Sequence, residues 1–225
     1  MGKRVLFVVT NHDQLGQTAS KTGWHSSQLS HPLKLLTDAG HEVDFASPKG
    51  GKAPMSPSSE NYDDPINAKF LLNPQLQARF DETLAVDQVN AADYGAVYFV
   101  GGHGAMWDFP RSPRLSELAA DIYQAGGLVA AISHGVAALI NAKLQDGTWL
   151  VSGKKMTGFS NEEEKVLKLH DVVPSLLETR LREHGAEYLQ GDPWQPFVVE
   201  DGNLLTGQNA ASANRLGELL LSKLG

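Results

Sequence analysis

The chain has 225 residues, a net charge of −7 and no cysteine. Without thiols, disulfides, thiolate metal sites and cysteine nucleophiles are excluded, and an acidic balance with no basic cluster argues against a nucleic-acid partner. No apolar run reaches the ~18 residues of a membrane span, and the length suits one domain, residues 1–225, able to bury roughly 70% of its unfolded surface.

Residues 3–10 (Lys-Arg-Val-Leu-Phe-Val-Val-Thr) form a β-branched apolar run of the kind buried on both faces of a parallel sheet, which predicts a first central strand. No signal-peptide pattern leads into it, so the expected location is the cytoplasm and no membrane partner is expected. Helical spacing over residues 27–36 stops at Gly40, and residues 41–47 predict a second strand. Residues 48–74 are rich in Pro, Gly, Ser, Asn and Asp. A surface excursion this long is a candidate lid or dimer contact, or plain surface. Helical spacing resumes over 76–84, and a third strand over 94–100 runs into Gly101-Gly102-His103-Gly104. Residues 112–125 are amphipathic through Leu115, Leu118, Ala119 and Ile122.

From Gly127 the chain reads as a short apolar strand that breaks at Ser133-His134-Gly135 and re-enters as a helix. Beyond it, residues 149–156 predict a strand or hairpin, and Thr157-Gly158-Phe159-Ser160 turns into Glu162, Glu163 and Glu164. A helix is predicted over 172–184. Strands over 197–200 and 204–206 flank the hairpin signal Asp201-Gly202-Asn203, and a closing helix spans 212–224. Strands alternating with helices of this length predict an α/β fold with a parallel sheet covered on both faces.

The break at Ser133 carries two readings. A side chain at a sharp strand-to-helix turn stands clear of the sheet near the positive end of the helix, where a nucleophile is useful; the alternative is a buried strand closed by a glycine turn. If Ser133 is a nucleophile, Gly101-Gly102-His103-Gly104 fits as an oxyanion loop, because glycines let backbone N–H groups approach a ligand. The loop lacks the third glycine of a dinucleotide fingerprint, so no cofactor is expected. His134 is the adjacent base, and the glutamates at 162–164 are the supply of an orienting acid, although Ser160 followed by Glu163 is also a capping box. Eight histidines, with His25 and His31 near His12, show no zinc-helix spacing, and no metal is expected. Trp24, Trp107 and Trp194 are candidates to line a pocket beside His103, against the plainer placement of tryptophans in the core.

These residues resemble the ThiJ/PfpI superfamily, in its branch of small glyoxalase III and stress-chaperone-like proteins. The resemblance is carried by residues 3–10 with Asn11, Lys21-Thr22-Gly23, His31-Pro32, residues 40–47, Gly101-Gly102-His103-Gly104, Ala131-Ile132-Ser133-His134-Gly135, Thr157-Gly158-Phe159, Pro193-Trp194 and residues 201–209. It implies a three-layer α/β/α sandwich of flavodoxin-like type, often a homodimer. It also implies a small 2-oxoaldehyde such as methylglyoxal as substrate: a thiolate adds to the aldehyde and a proton moves between adjacent carbons to give a 2-hydroxy acid. The family's cysteine nucleophile falls on Ser133, its histidine on His134 and the acid orienting that histidine on Glu164. The oxyanion amides fall on Gly102 and His134, and a proton-moving glutamate of the early helix falls on Gln28. Val136 and Ala210 stand where prolines are usual.

Ser133 and Gln28 bear on the chemistry. A hydroxyl needs a base acting on it at the moment of attack, whereas a thiol is partly ionised near neutral pH. An amide can donate a hydrogen bond but cannot take and return a proton. The sequence therefore implies a weak or inactive glyoxalase III, either a nucleophile knock-out or a degenerate member. A non-catalytic holdase or ligand-binding relative is the second reading, and a serine-type hydrolase using Ser133, His134 and Glu164 the third.

Overall fold

The computed structural model describes residues 4–225; Lys3, the expected start of the first strand, lies outside the described residues. The strands are β1 (Arg4–Val8), β2 (Val43–Ser47), β3 (Leu84–Ala85), β4 (Tyr94–Phe99), β5 (Leu128–Ile132), β6 (Lys155–Met156), β7 (Glu187–Tyr188), β8 (Val198–Asp201) and β9 (Leu204–Gly207). The helices are α1 (Ser26–Asp38), α2 (Pro65–Leu71), α3 (Pro74–Ala78), α4 (Ala105–Asp108), α5 (Pro113–Gln124), α6 (Asn161–Val166), α7 (Leu177–Glu183) and α8 (Ala213–Leu224). Seven strands join in the order β3-β2-β1-β4-β5-β9-β8, and β6 pairs with β7 apart from them. Every pairing in the large sheet is parallel except that of β8 with β9, the predicted hairpin turning at Gly202.

Side chains of a strand alternate between faces, so each central strand feeds two cores. Val5, Phe7, Tyr98, Ala130 and Ile132 pack with Leu29, Leu33, Leu36, Leu216 and Leu220 of α1 and α8. Leu6, Val8, Val97, Phe99, Val129 and Ala131 pack on the other face with Leu115, Leu118 and Ile122 of α5 and with Leu177 and Leu181 of α7. The result is one domain of three α/β/α layers. Strand order reverses between β1 and β4, and in open α/β sheets the crevice beyond the carboxyl ends at such a point is where ligands bind. Among the described residues no helix is long and apolar enough to cross a membrane.

Several expected elements differ. The helix expected over 76–84 ends at Ala78, because Thr83 exchanges backbone hydrogen bonds with Gly51 and Leu84 joins the sheet beside Ala46. Of the strand or hairpin expected over 149–156, Trp149 makes an isolated antiparallel bridge with Lys143, residues 150–153 are turns, with Leu150 N–H bonded to the Ala142 carbonyl, and Lys155–Met156 forms the strand. The helix expected over 172–184 begins at Leu177: Pro174 disfavours helical backbone at Val173, and turns occupy the intervening residues. The excursion over 48–74 is partly ordered as α2. Asp64 caps that helix and meets His31, and Asn67 accepts a hydrogen bond from Ser30, so it folds back on α1.

Candidate active site

The site is assembled where β4 and β5 end. Ser133 takes φ 54°, in the left-handed region that non-glycine residues avoid, and a tight 3-10 helix, not an α-helix, follows over Ser133–Leu139. Such strain costs about 1–3 kcal/mol and persists only where the surroundings impose it. Two glycines make room for it. A Cβ on Gly135 would lie 2.3 Å from the Phe99 carbonyl oxygen, and a Cβ on Gly101 would lie 2.0 Å from Gln28 Oε1 and 3.0 Å from Ser133 Cβ.

Gln28 reaches this point from α1. Pro32 has no N–H to give the Gln28 carbonyl four residues earlier, and the hydroxyl of Tyr98 on β4 donates to that carbonyl instead, at 2.7 Å. The vacancy left by a proline thus pins the Gln28 backbone to the central sheet. The His25 N–H, one turn before Gln28, donates to the Gly101 carbonyl at 2.8 Å, which ties the helix entry to the glycine loop. The Gln28 side chain is buried, and among the described residues its Oε1 has no hydrogen-bond partner.

The sequence leaves open whether the run of glutamates caps a helix or orients a histidine, and the structure divides the work. Glu163 closes the capping box with Ser160 and accepts from the Trp194 N–H and Asn209 Nδ2. Glu164 turns to the site. His134 Nε2 meets Glu164 Oε2 at 2.6 Å, and His103 Nε2 meets Oε1 at 2.7 Å. Glu162 bonds Gln190 at the surface. Burial alone would push the Glu164 carboxyl up, but the two imidazoles, His134 foremost, outweigh it and hold the carboxyl well below the usual carboxylate range. Burial, with His134 close by, lowers His103 against the pull of Glu164. His25 is pushed down to about 4, by burial first and then by the two other imidazoles.

A cavity of about 210 Å³ is lined by His25, Gln28, Gly102, His103, Ser133, His134 and Trp194, among others. All the residues expected to act there therefore line one space except Glu164, which stands behind the two imidazoles, and Trp24. The Trp24 indole lies in the aromatic cluster with Phe70 and Phe80 and donates to the Ala53 carbonyl; its flat apolar surface is consumed by the core under the excursion. Trp107 is also elsewhere, stacked on His12. Gly102 has φ 119° and, among the described residues, its N–H makes no hydrogen bond; the His134 N–H belongs to the first turn of the 3-10 helix, which offers it no carbonyl. Both amides are available to an oxyanion.

His25, Phe159, Leu167, Asn209 and Ser58 also line the cavity and were not singled out as site residues. For His25 the available signal is its position three residues before Gln28, one helical turn away. Ser58 comes from the excursion, so part of that segment borders the cavity. Among the described residues, Ser133 Oγ makes no hydrogen bond with His134, whose Nε2 is engaged by Glu164. The arrangement therefore offers a hydroxyl lining the cavity, two free amides, a buried amide oxygen without a partner among the described residues and a histidine pair on one carboxylate.

The model of the DJ-1/PfpI family matches residues 19–223. The glutathione-independent glyoxalase HSP31 of Saccharomyces cerevisiae is 32% identical over 230 residues, covering 94% of this chain and 94% of the relative. Among solved structures, the Rapid Encystment Protein 24 kDa of Francisella tularensis aligns with a TM-score of 0.95 at 40% identity, over 99% of both chains. Glyoxalase III of Candida albicans aligns with a TM-score of 0.87 at 25% identity, over 98% of this chain and 96% of its own.

Proposed function

The chain belongs to the DJ-1/PfpI family, and from that premise we propose that its cavity is a glyoxalase III-type site for a small 2-oxoaldehyde, with little turnover because Ser133 and Gln28 occupy the two chemical positions. Relatives about 30% identical are named glutathione-independent glyoxalase and glyoxalase 3, and their names support the substrate class. The observation that carries the reading is the convergence of the strained Ser133 and the unpartnered Gln28 amide on one cavity. The free Gly102 and His134 amides suit an oxygen that gains negative charge when a nucleophile adds to an aldehyde. Ser133 lacks the hydrogen bond from hydroxyl to imidazole that would activate it, which weighs against a serine-type triad. Gln28 cannot return a proton to the neighbouring carbon.

Methylglyoxal supplied to the unmodified chain, to Ser133→Cys and to Ser133→Cys/Gln28→Glu, with lactate measured, tests this. The unmodified chain is expected at background and the double variant at least about a hundredfold above it, the scale of a restored acid–base group. Equal lactate from the unmodified chain and the double variant overturns the reading, and equal lactate from the single and double variants removes Gln28 from it.

A holdase is the second reading, favoured by apolar side chains at the cavity mouth: Trp194 and Leu167 line the cavity and are 43% and 42% exposed, and Val166 beside them is 58% exposed. Suppression of aggregation of a heated client, unchanged by Ser133→Ala and weakened by Trp194→Ser, is its expected signature.

A further inference from the structure

We propose that His103, His134 and Glu164 form a binding site for a single divalent cation of the zinc, cobalt or nickel class, a role distinct from that of an acid orienting a base. One ring nitrogen from each histidine and one carboxylate oxygen of Glu164 lie within 4.8 Å of one another. They come from three separate segments: the loop after β4, the elbow after β5 and the first turn of α6. Among the described residues neither carboxylate oxygen serves a backbone group; each faces one imidazole, at 2.6 and 2.7 Å. An orienting acid needs to hold one histidine, and this one holds two, with ring centroids 4.0 Å apart.

The donor set decides the cation. Two imidazoles and one carboxylate suit zinc and its neighbours; magnesium and calcium prefer all-oxygen shells. Bonds of about 2.0–2.2 Å to nitrogen and oxygen set the ligand atoms of a tetrahedral metal roughly 3.3 Å apart, so the two nitrogen–oxygen separations of 2.6 and 2.7 Å open by about 0.6–0.7 Å, within reach of small side-chain rotations. Both histidines now present Nε2–H to the carboxylate. Moving each proton to Nδ1 frees both lone pairs without changing the charge of either ring. The remaining coordination positions face the cavity, which His103 and His134 both line, so the site is of the open kind, with room for water or a ligand oxygen.

The surroundings set its strength. Phe159 packs on His134, with centroids 4.3 Å apart, and edge-on to His103 at 5.8 Å, which walls one side from water. Among the described residues neither Nδ1 has a protein partner, and second-shell hydrogen bonds to metal-bound histidines are typically worth about 10–100-fold in affinity. The site is thus a reversible one and not a structural zinc centre. It does not depend on the glyoxalase reading, because neither Ser133 nor Gln28 is among its ligands.

Cobalt(II) titrated into the full metal-free chain, followed by its visible d–d absorption and by calorimetry, is the test. The expected result is one saturable equivalent with the intense band of four- or five-coordinate cobalt, bleached by added zinc, and a zinc-dependent rise in melting temperature. His103→Gln and Glu164→Gln should each weaken cobalt binding more than about tenfold, with circular dichroism of the metal-free variants confirming the fold. His31→Gln, at the histidine–carboxylate pair on α1, should leave the spectrum unchanged. Absence of a saturable band, a band untouched by both site variants, or a band lost with His31→Gln overturns the proposal.

Discussion

Beyond the carboxyl ends of β1, β2 and β3 lies a cavity of about 410 Å³ lined by His12, Lys49, Trp107, Asp108 and Arg111, among others. Beyond those of β4, β5 and β9 lies one of about 210 Å³. Most of the less exposed polar groups of the larger are spoken for, while Lys49, Asp87 and Arg111 are open to solvent. Asp108 accepts from Thr10 Oγ1 and the Asn11 N–H, His12 meets the Gln14 carbonyl and stacks on Trp107, and Arg114 donates to the Val89 carbonyl. Among the described residues, no buried side-chain atom without a partner lines it, and neither does any non-glycine residue of positive φ. The smaller contains the orphaned Gln28 Oε1 together with Ser133 and Trp194, two such residues. Volume does not separate a binding site from a surface hollow; unmet hydrogen-bonding capacity and imposed strain do.

Removing the central acid of each half should show the largest contrast. Glu164→Ala leaves two buried imidazoles without their shared acceptor and is expected to lower stability by about 4 kcal/mol. Asp108→Ala loses the Thr10 and Asn11 bonds but also relieves a carboxyl that burial pushes up to about 6, so a cost of about 1–2 kcal/mol is expected. Denaturant midpoints compare them directly, and equal losses would erase the distinction. Next in size is Gly101→Ala. Its Cβ meets the Ile132 carbonyl at 2.6 Å as well as Gln28; the backbone there cannot move aside, and about 3 kcal/mol is expected.

The pH response should have opposite signs in the two halves. His25 is held near 4 against an ordinary 6.5, so between those values the unfolded chain binds the extra proton and stability falls as pH falls. Asp108 is raised from 3.8 to about 6, so there the folded chain holds the extra proton and stability falls as pH rises. His25→Asn should flatten the loss of stability on acidification from pH 6.5 to 4, and Asp108→Asn should steepen it. Melting temperatures across that range decide the matter, and parallel profiles for both variants would contradict the assignment.

Legibility in the sequence followed how local each cause is. β1, β4 and β5 could be read because a strand buried on both faces is dominated by apolar residues, β2 because Val43 and Phe45 alternate with Asp44 and Ala46, and the elbow because its motif is contiguous. The turns over 150–153 resisted reading because Leu150 and Val151 face the core from irregular backbone, which periodicity does not register. At the site, Ser133, His134 and the cluster of glutamates were visible from residue types. Which glutamate faces His134 came only from the family resemblance, since capping and orienting use the same residues. His25 was missed as a site residue because what places it, the bond from its N–H to Gly101, joins segments far apart in the chain.

The smallest expected effect reverses the usual direction. Gln28 is buried with Oε1 unpaired, so the folded chain bears a desolvation cost that the unfolded chain does not. Gln28→Met keeps the length of the side chain and removes the orphan, and should stabilise the protein by about 1 kcal/mol. In the larger hollow the corresponding change is Thr10→Val. Thr10 Oγ1 donates to Asp108 at 2.7 Å and accepts from the His12 N–H at 2.9 Å, so replacing it should destabilise by about 1–2 kcal/mol. Opposite signs from two polar-to-apolar swaps of near-constant shape would show that one half of the sheet edge is optimised for folding and the other is held in readiness for a ligand. A destabilising Gln28→Met would mean that the amide already has its partner, and the distinction between the halves would then rest on the strained backbone at Ser133 and Trp194.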